Sequence, residues 1–327
     1  METYLKTATA PTRADGTDSV RIGLCLPQLG PHVDSNAVRE FAVSADSLGF
    51  ASLWVQEHLF FPLNPRSGYA GVPGAQAPAV YQSTLAPTEL LAAVAAWTSR
   101  IRVGTSVLVA GYHQPVELAQ RLATLDLLSG GRLDVGIGAG WSIDEHALVG
   151  VEPASRSDRM EELVEALLVC WGNDPVSFHG TFFDIPESIV RPKPLQQPRP
   201  KLLAGTASEI GRAMTSRLFD GWNPVAIPAA TVRRQLDEMN HHRPAGLRPL
   251  TAHLRLFAQA PLTGRGGTVP GLDGIADSIA EAVDMRLDEV IVDCNFWVEM
   301  DSPSMWCDLP NRLAARLGPL LTGSFGD

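Results

Sequence analysis

Apolar residues recur along this chain with two alternating periods. Short runs rich in Val, Ile and Leu at residues 20–27, 52–56, 101–109, 133–137, 201–204, 220–225, 250–259 and 289–294 read as strands. Between and after them lie segments whose apolar positions repeat every three or four residues, at 35–48, 87–97, 115–128, 157–171, 208–218, 231–240, 275–286 and 305–321. In the segment 157–171, Met160, Leu163, Val164, Leu167 and Leu168 fall on one helical face. Punctuation supports the helices: Ser35 is placed to cap the first, with Gly49 closing it. Pro115 stands in a first turn, where its missing N–H costs nothing, and Ser129-Gly130-Gly131 stops that helix.

Strands that alternate with helices must return parallel, so the pattern predicts an α/β fold built on a parallel sheet. An eighth unit completes the series and no dinucleotide fingerprint follows the first strand. Both features favour a (β/α)8 TIM barrel over an open doubly wound sheet. Residues 176–185, with His179-Gly180-Thr181 at their centre, read as a small hairpin insertion. Residues 191–200 are Pro-rich and extended. Residues 58–86 carry Gly68, Gly71 and Gly74 among Pro62, Pro65, Pro73 and Pro78, and so long a connection reads as a functional lid. The expected organisation is a flexible leader over 1–19 and one barrel domain over 20–327.

Two strands end in small residues: Gly104-Thr105-Ser106 within the third, and Gly136-Ile137-Gly138-Ala139-Gly140 closing the fourth. Small residues at the carboxyl ends of parallel strands let a ligand approach the backbone, and in a barrel that end is the catalytic mouth. A second small-residue turn, Ala204-Gly205-Thr206-Ala207-Ser208, joins the fifth strand to a helix whose N-terminus favours an anion. Two such turns on one rim point to a phosphorylated cofactor. Glu57-His58 closes the second strand at the same rim. A histidine there can exchange a proton near neutral pH, and Glu57 would either orient its ring or serve as an ordinary ion-pair partner. His113 and Gln28 follow the third and first strands, each with a ligand-facing or a purely local reading. His241-His242 reads as solvated, and His179 belongs to the hairpin.

Charge narrows the class. Lys and Arg total 26 against 36 Asp and Glu, a formal charge of −10, and no basic block occurs. That balance argues against nucleic acid and against an anionic membrane surface. No apolar run reaches the length of a membrane span, and residues 1–19 lack a signal-peptide core. The cysteines, Cys25, Cys170, Cys294 and Cys307, form no metal-ligand spacing, and free thiols fit a cytoplasmic location. No metal site is expected. The absence of a Gly-x-Ser-x-Gly elbow and of a His-Glu-x-x-His helix weakens hydrolase readings.

These pieces resemble, in order, the bacterial luciferase-like superfamily, and most closely its actinobacterial branch of oxidoreductases dependent on the deazaflavin coenzyme F420. The matching stretches are Leu48-Gly49-Phe50, Trp54-Val55-Gln56-Glu57-His58, residues 100–109, Ala123-Thr124-Leu125-Asp126, residues 128–133, and Gly136-Ile137-Gly138-Ala139-Gly140-Trp141. Residues 175–180 and Asp220-Gly221-Trp222-Asn223-Pro224 complete them. The resemblance implies an isoalloxazine-type ring over the third strand at Thr105, Ser106 and Val107, with a non-proline cis peptide at Ser106-Val107 backing it. It also implies a phosphate-bearing tail over Gly138, Ala139, Gly140 and Trp141, and over Gly205, Thr206 and Ala207. His58 takes the place of the family's proton donor or base. The chain departs from the family at Glu57, where Asp is common, and at Trp141, where sugar-phosphate dehydrogenases carry a catalytic Glu. The second departure argues against glucose-6-phosphate as substrate.

The expectation is a cytoplasmic, homodimeric oxidoreductase. It would transfer a hydride between coenzyme F420 and a small organic molecule, with His58 and Glu57 as catalytic residues. An FMN-dependent monooxygenase using reduced flavin and oxygen is the alternative, and a non-catalytic flavin-binding protein is a third. The intact Glu57-His58 pair and both glycine turns stand against that third reading.

Overall fold

A computed structural model of the chain describes residues 20–259 and 271–321; the expected leader over 1–19 lies outside the described residues. Its strands in chain order are β1 (Arg21–Cys25), β2 (Ser52–Val55), β3 (Arg102–Thr105), β4 (Leu108–Val109), β5 (Leu133–Gly138), β6 (Val176–His179), β7 (Asp184–Ser188), β8 (Lys201–Gly205), β9 (Gly221–Trp222), β10 (Thr251–Phe257) and β11 (Glu289–Asp293). The helices are α1 (Ser35–Leu48), α2 (Pro87–Trp97), α3 (Pro115–Leu128), α4 (Ile143–Leu148), α5 (Arg156–Trp171), α6 (Glu209–Leu218), α7 (Ala229–His241), α8 (Gly271–Asp284) and α9 (Pro303–Leu321).

The order β3-β2-β1-β11-β10-β9-β8-β5-β4 is parallel throughout, and β3 also pairs with β5 through Val103 and Leu133. That last pairing closes the sheet. With β3 and β4 counted as one interrupted strand, it is an eight-stranded parallel barrel wrapped by helices. β6 and β7 form a separate antiparallel hairpin, as the pattern predicts. Its turn is held on α5 by Glu162, which accepts the backbone N–H groups of Thr181, Phe182 and Phe183.

Local sequence explains the element ends. Asp34, one residue before Ser35, is the cap of α1 and accepts the amide of Ala37 at 2.8 Å. Either residue suits the role, and Asp34 is the one with extended backbone (φ −132°). Gly49 terminates the helix at φ 86°, a left-handed conformation that a residue with a Cβ disfavours. The segments read as strands 101–109 and 220–225 shorten to β3 plus β4 and to β9. α4 is too short to show a helical period and was not anticipated from the pattern.

The main apolar core lies between the barrel wall and the helices. Inside the barrel a second cluster of Cys25, Trp54, Leu203 and Ile291 plugs the axis. Trp54 fills space opposite Gly104, where an added Cβ would meet its ring at 2.5 Å. Below that plug sits a polar layer. Glu289 is buried there with His253 at 2.9 Å and with Ser52, and the indole N–H of Trp54 donates to Ser52 at 2.6 Å. The plug separates this layer from the mouth. The four cysteines are free thiols, and no helix among the described residues is long and apolar enough to cross a membrane.

Candidate active site

The site is built on the loops that leave the carboxyl ends of the strands. Its floor is the break between β3 and β4. The Ser106-Val107 peptide there is cis, as the resemblance implies. Thr105 is fully buried, and its hydroxyl donates to the carbonyl of Gly136 at 2.8 Å and accepts the Gly136 amide at 2.9 Å. It is a strut between β3 and β5, and its hydroxyl is committed to Gly136. Ser106 is equally committed: its hydroxyl donates to Asn223 at 2.6 Å and its amide to Val55 at 2.6 Å. The guanidinium of Arg255 crosses the barrel to donate to the Ser106 carbonyl at 2.6 Å.

Val107 is the residue of this trio left facing the mouth. It is half-buried, and its side chain lies across Gly138 of β5 and Gly205 of β8. A Cβ added at Gly138 would meet Cγ2 of Val107 at 2.6 Å, and one at Gly205 would meet Cγ1 at 2.7 Å. The glycines therefore let an apolar platform lie flat between β4, β5 and β8, with nothing projecting beside it.

Each of the two predicted turns flanks that platform and is backed by an arginine. Arg156 of α5 donates to the carbonyl of Gly140 at 3.2 Å, and Arg212 of α6 to that of Ala207 at 2.9 Å. Trp222 holds the carbonyl of Thr206 at 2.8 Å, and Ser208 caps α6 by accepting the amide of Gly211 at 3.0 Å. In the first turn, Gly140 takes φ 76° and packs on His146, whose ring nitrogens lie 2.7 Å from the carbonyl of Ser142 and 3.0 Å from that of Ala139. The platform, the two turns and the arginines fit a flat apolar ring with a phosphate-bearing tail. Val107 and Gly138 would carry the ring; residues 138–141 and 205–208 would hold the tail.

His58 stands at the rim with its side chain only 12% exposed. Its ring meets Tyr81 edge-on at 4.4 Å between centroids and Trp141 at 5.7 Å. Tyr69 and Tyr81 come from the long connection after β2, which folds over the mouth and packs on Leu29 and Phe296. The phenol of Tyr81 donates to Gln56 at 3.4 Å and lies 3.0 Å from that of Tyr69. Burial, and then Tyr69, push the Tyr81 hydroxyl well above its ordinary pKa, so it acts as a neutral donor.

The carboxylate that faces His58 is not its chain neighbour. Glu57 turns away, and its Oε2 accepts the amide of Val109 at 2.7 Å and lies 3.0 Å from Nε2 of His113. The partner of His58 is Glu145 of α4, whose Oε2 lies 3.4 Å from Nδ1 of His58 and accepts the Tyr112 hydroxyl at 2.9 Å. Burial alone would raise the Glu145 carboxyl, but His58, the Leu59 amide and Tyr112 outweigh it and hold it below the usual carboxylate value. Gln28, whose sequence position left a ligand or surface role open, is buried and donates to the carbonyls of Gln56 and Leu85. His179 pairs with Asp184 on the exposed hairpin. Among the described residues no cluster of His, Cys, Asp or Glu could hold a metal ion.

Glu145, Tyr112, Tyr69, Tyr81, Arg156, Arg212 and Arg255 escape a reading of the sequence. One local signal existed: Ser142-Ile143-Asp144-Glu145 has the spacing of a helix capping box.

Comparison with known proteins gives a consistent answer. Residues 19–261 match the family described as luciferase-like monooxygenase. An uncharacterized protein of Mycobacterium tuberculosis is 37% identical over 183 residues, covering 54% of this chain and 64% of that protein. An FMNH2-dependent dimethylsulfone monooxygenase of Pseudomonas putida is 29% identical over 204 residues, covering 62% of this chain and 52% of the enzyme. An F420-dependent glucose-6-phosphate dehydrogenase of Amycolatopsis mediterranei is 33% identical over 187 residues, covering 56% of this chain and 51% of the enzyme. The matches thus span about half to two-thirds of these relatives' lengths. Among solved structures, the monooxygenase RslO1 of Streptomyces bottropensis shares the fold, with TM-score 0.70 and 21% identity over 92% of this chain and 99% of that one.

Proposed function

The chain belongs to the luciferase-like monooxygenase family, whose members include F420-dependent and FMN-dependent oxidoreductases, and we propose that it transfers a hydride between coenzyme F420 and a small organic substrate. The observation that carries this reading is His58, enclosed by Tyr81 and Trp141 at the barrel mouth and backed by the carboxylate of Glu145. When bound, the deazaflavin supplies or accepts the hydride. The chain's own residues manage the accompanying proton. A carbonyl that receives a hydride develops negative charge on oxygen, and a positioned acid within reach stabilises it as it forms. In the reverse direction the same imidazole removes the hydroxyl proton.

The lid serves that step by excluding water. Tyr69, Tyr81 and Phe296 are buried over the mouth, and a closed apolar compartment strengthens the interaction between an imidazolium and a developing oxyanion. The resemblance puts Trp141 where the sugar-phosphate dehydrogenases carry a carboxylate, which argues against glucose-6-phosphate as substrate.

A second reading, reduced FMN with oxygen, has support from the FMNH2-dependent relative, which matches a longer stretch than the F420-dependent one. Both cofactors would use the same platform and turns. Separate titrations of the purified protein with F420 and with FMN, followed by fluorescence, distinguish them. Tighter binding of F420 is expected; clearly tighter binding of FMN would transfer the assignment to the monooxygenase reading.

A further inference from the structure

Three consecutive residues of α4 reach in three directions. Asp144 accepts the amide of Arg66 at 2.9 Å and so ties down the lid. His146 braces the turn Ala139 to Ser142. Between them Glu145, only 2% exposed, faces His58. In a capping box the Glu at this position would bend back to the backbone of the capping serine. Ser142 plays its part and accepts the Glu145 amide at 3.2 Å. The Glu145 side chain is instead engaged outside the helix. Oε1 takes the Leu59 amide at 2.6 Å, and Oε2 takes the Tyr112 hydroxyl and lies against His58.

Holding a carboxylate in so dry a place is costly unless its lone pairs are filled. Leu59 and Tyr112 fill two of them, and these contacts also fix the direction in which Oε2 points. An ionised carboxylate can only accept. A ring nitrogen facing it must therefore carry hydrogen, and in a neutral imidazole the other nitrogen is then bare. The separation of 3.4 Å is long, as pairs of this kind often are before a substrate closes them.

We infer that Glu145 is the positioning residue of His58: it holds the Nδ1–H tautomer and leaves Nε2 as the atom that exchanges a proton with the substrate. This rests on the reading of His58 as the proton-exchanging group. Because Leu59 adjoins His58 and shares the same carboxylate, the ring and the start of the lid are set by one anchor. Glu57, the residue adjacent in the chain, has no part in it.

The test uses full-length protein labelled with ¹⁵N-histidine and no cofactor, with the His58 signals assigned by their loss in His58→Gln. Nitrogen chemical shifts and long-range proton couplings report which ring nitrogen is protonated. Wild type should show the Nδ1–H tautomer for the neutral ring. Glu145→Gln, which can turn an amide N–H toward Nδ1, should populate Nε2–H. It should also lower kcat by on the order of tenfold to a hundred-fold at nearly unchanged cofactor affinity, since misorientation alone can cost that much. An Nε2–H ring in wild type, or a tautomer unmoved in Glu145→Gln, would overturn the inference. A purely structural Glu145 would change the melting temperature without moving the tautomer. If Glu145→Gln does not fold, the wild-type spectrum still decides. The spectrum needs no substrate, so it stands apart from any failure of the proposed activity, which turnover of His58 variants reports.

Discussion

Nε2 of His113 lies 3.0 Å from Oε2 of Glu57, and the same oxygen receives the amide of Val109 at 2.7 Å. This makes Glu57 a clamp between the loop that leaves β2 and the end of β4. Replacing it with Ala leaves a buried amide and an imidazole without their partner. Each such loss typically costs about 1–3 kcal/mol. Glu57→Ala should therefore lower the unfolding free energy in urea and weaken cofactor binding together. A double-mutant cycle with His113→Ala should show coupling of at least about 0.5 kcal/mol. Normal stability combined with a collapse of kcat would instead make Glu57 a chemical participant.

The platform gives a steric prediction. Gly138 has no room for a methyl group because Cγ2 of Val107 would sit 2.6 Å from it. Overpacking of this kind costs about 1–3 kcal/mol and displaces whichever neighbour can move. The neighbour here is the residue on which a ring would rest. Gly138→Ala should weaken cofactor binding at least tenfold and lower the melting temperature. Adding Val107→Ala should restore part of the stability, since the Gly205 carbonyl would still lie 3.0 Å from the added Cβ, but not the affinity, because the surface under the ring is then lost. Calorimetry with a fluorescence titration of both variants checks this. Unchanged affinity in Gly138→Ala would place the ring elsewhere.

What the sequence made legible follows from how local each signal is. The strands that became β5 and β11 are short runs with Leu, Val and Ile buried on both faces, so composition marks them. Gly49 and Pro115 mark helix ends by backbone geometry that belongs to the residue itself. The partner of His58 is different in kind. Leu59 and Glu145 stand 86 positions apart, on a loop and on a six-residue helix, and only barrel closure brings them together. Glu57 was adjacent in the chain, but successive residues leaving a strand point to opposite sides, so adjacency misled. Thr105 and Gln28 carry polar groups near the mouth whose partners are backbone atoms of neighbouring segments. No pattern in one sequence reports which carbonyl a hydroxyl or an amide will find.

Acid should unfold the protein through its buried carboxylates. Burial would raise the Glu289 carboxyl, but His253, Arg21 and Ser52 hold it far below its ordinary value. Its folded pKa is thus below its unfolded value of about 4.3. The stability it contributes is present above that pH and is lost as pH falls from about 5 through the folded pKa. Glu145 shifts in the same direction and adds to the same limb. Glu289→Gln should lower stability at pH 7 by about 3–5 kcal/mol, the usual cost of breaking a buried pair. It should also flatten the decline between pH 5 and pH 3 (roughly the window of carboxylate titration). Urea unfolding at intervals across that range measures both. An acid limb as steep as that of wild type would assign the sensitivity to other groups.

Thiol reactivity tests the burial of the barrel interior. Burial, and then the charge of Asp293, push the Cys25 thiol far up, and Cys294 is raised for the same two reasons. Cys25, Cys170 and Cys294 are buried and Cys307 is partly exposed. Burial, and then Glu40 and Asp34, raise the Cys307 thiol as well. A thiolate-specific reagent at pH 8 (about the ordinary range of a free thiol) should therefore label Cys307 slowly in the folded protein and the remaining cysteines only after denaturation. Cys307→Ser should abolish the native signal. Rapid labelling of Cys25 in the folded state would mean that the mouth opens to the depth of the Trp54 plug.

In the proposed function the chemistry turns on His58. Its ring is the ionisable group enclosed by Tyr81 and Trp141 and faced by Glu145. The cofactor's tail would be gripped by the turns that Arg156 and Arg212 support. On this proposal binding and proton management meet at Trp141, which belongs to the first turn and packs on His58 at 5.7 Å, and substitution at His58 should largely separate them. Removal of a general acid or base typically costs on the order of a hundred-fold or more in turnover. His58→Ala should lower kcat by that amount and leave the cofactor dissociation constant within about threefold of wild type, less than the effect of losing one hydrogen bond to a charged group. Steady-state turnover and a fluorescence titration on the same folded preparation provide the two numbers. An unchanged kcat would remove His58 from the mechanism. A large loss of affinity with normal kcat at saturation would make it a binding residue, and the proton would then have to come from another donor at the rim.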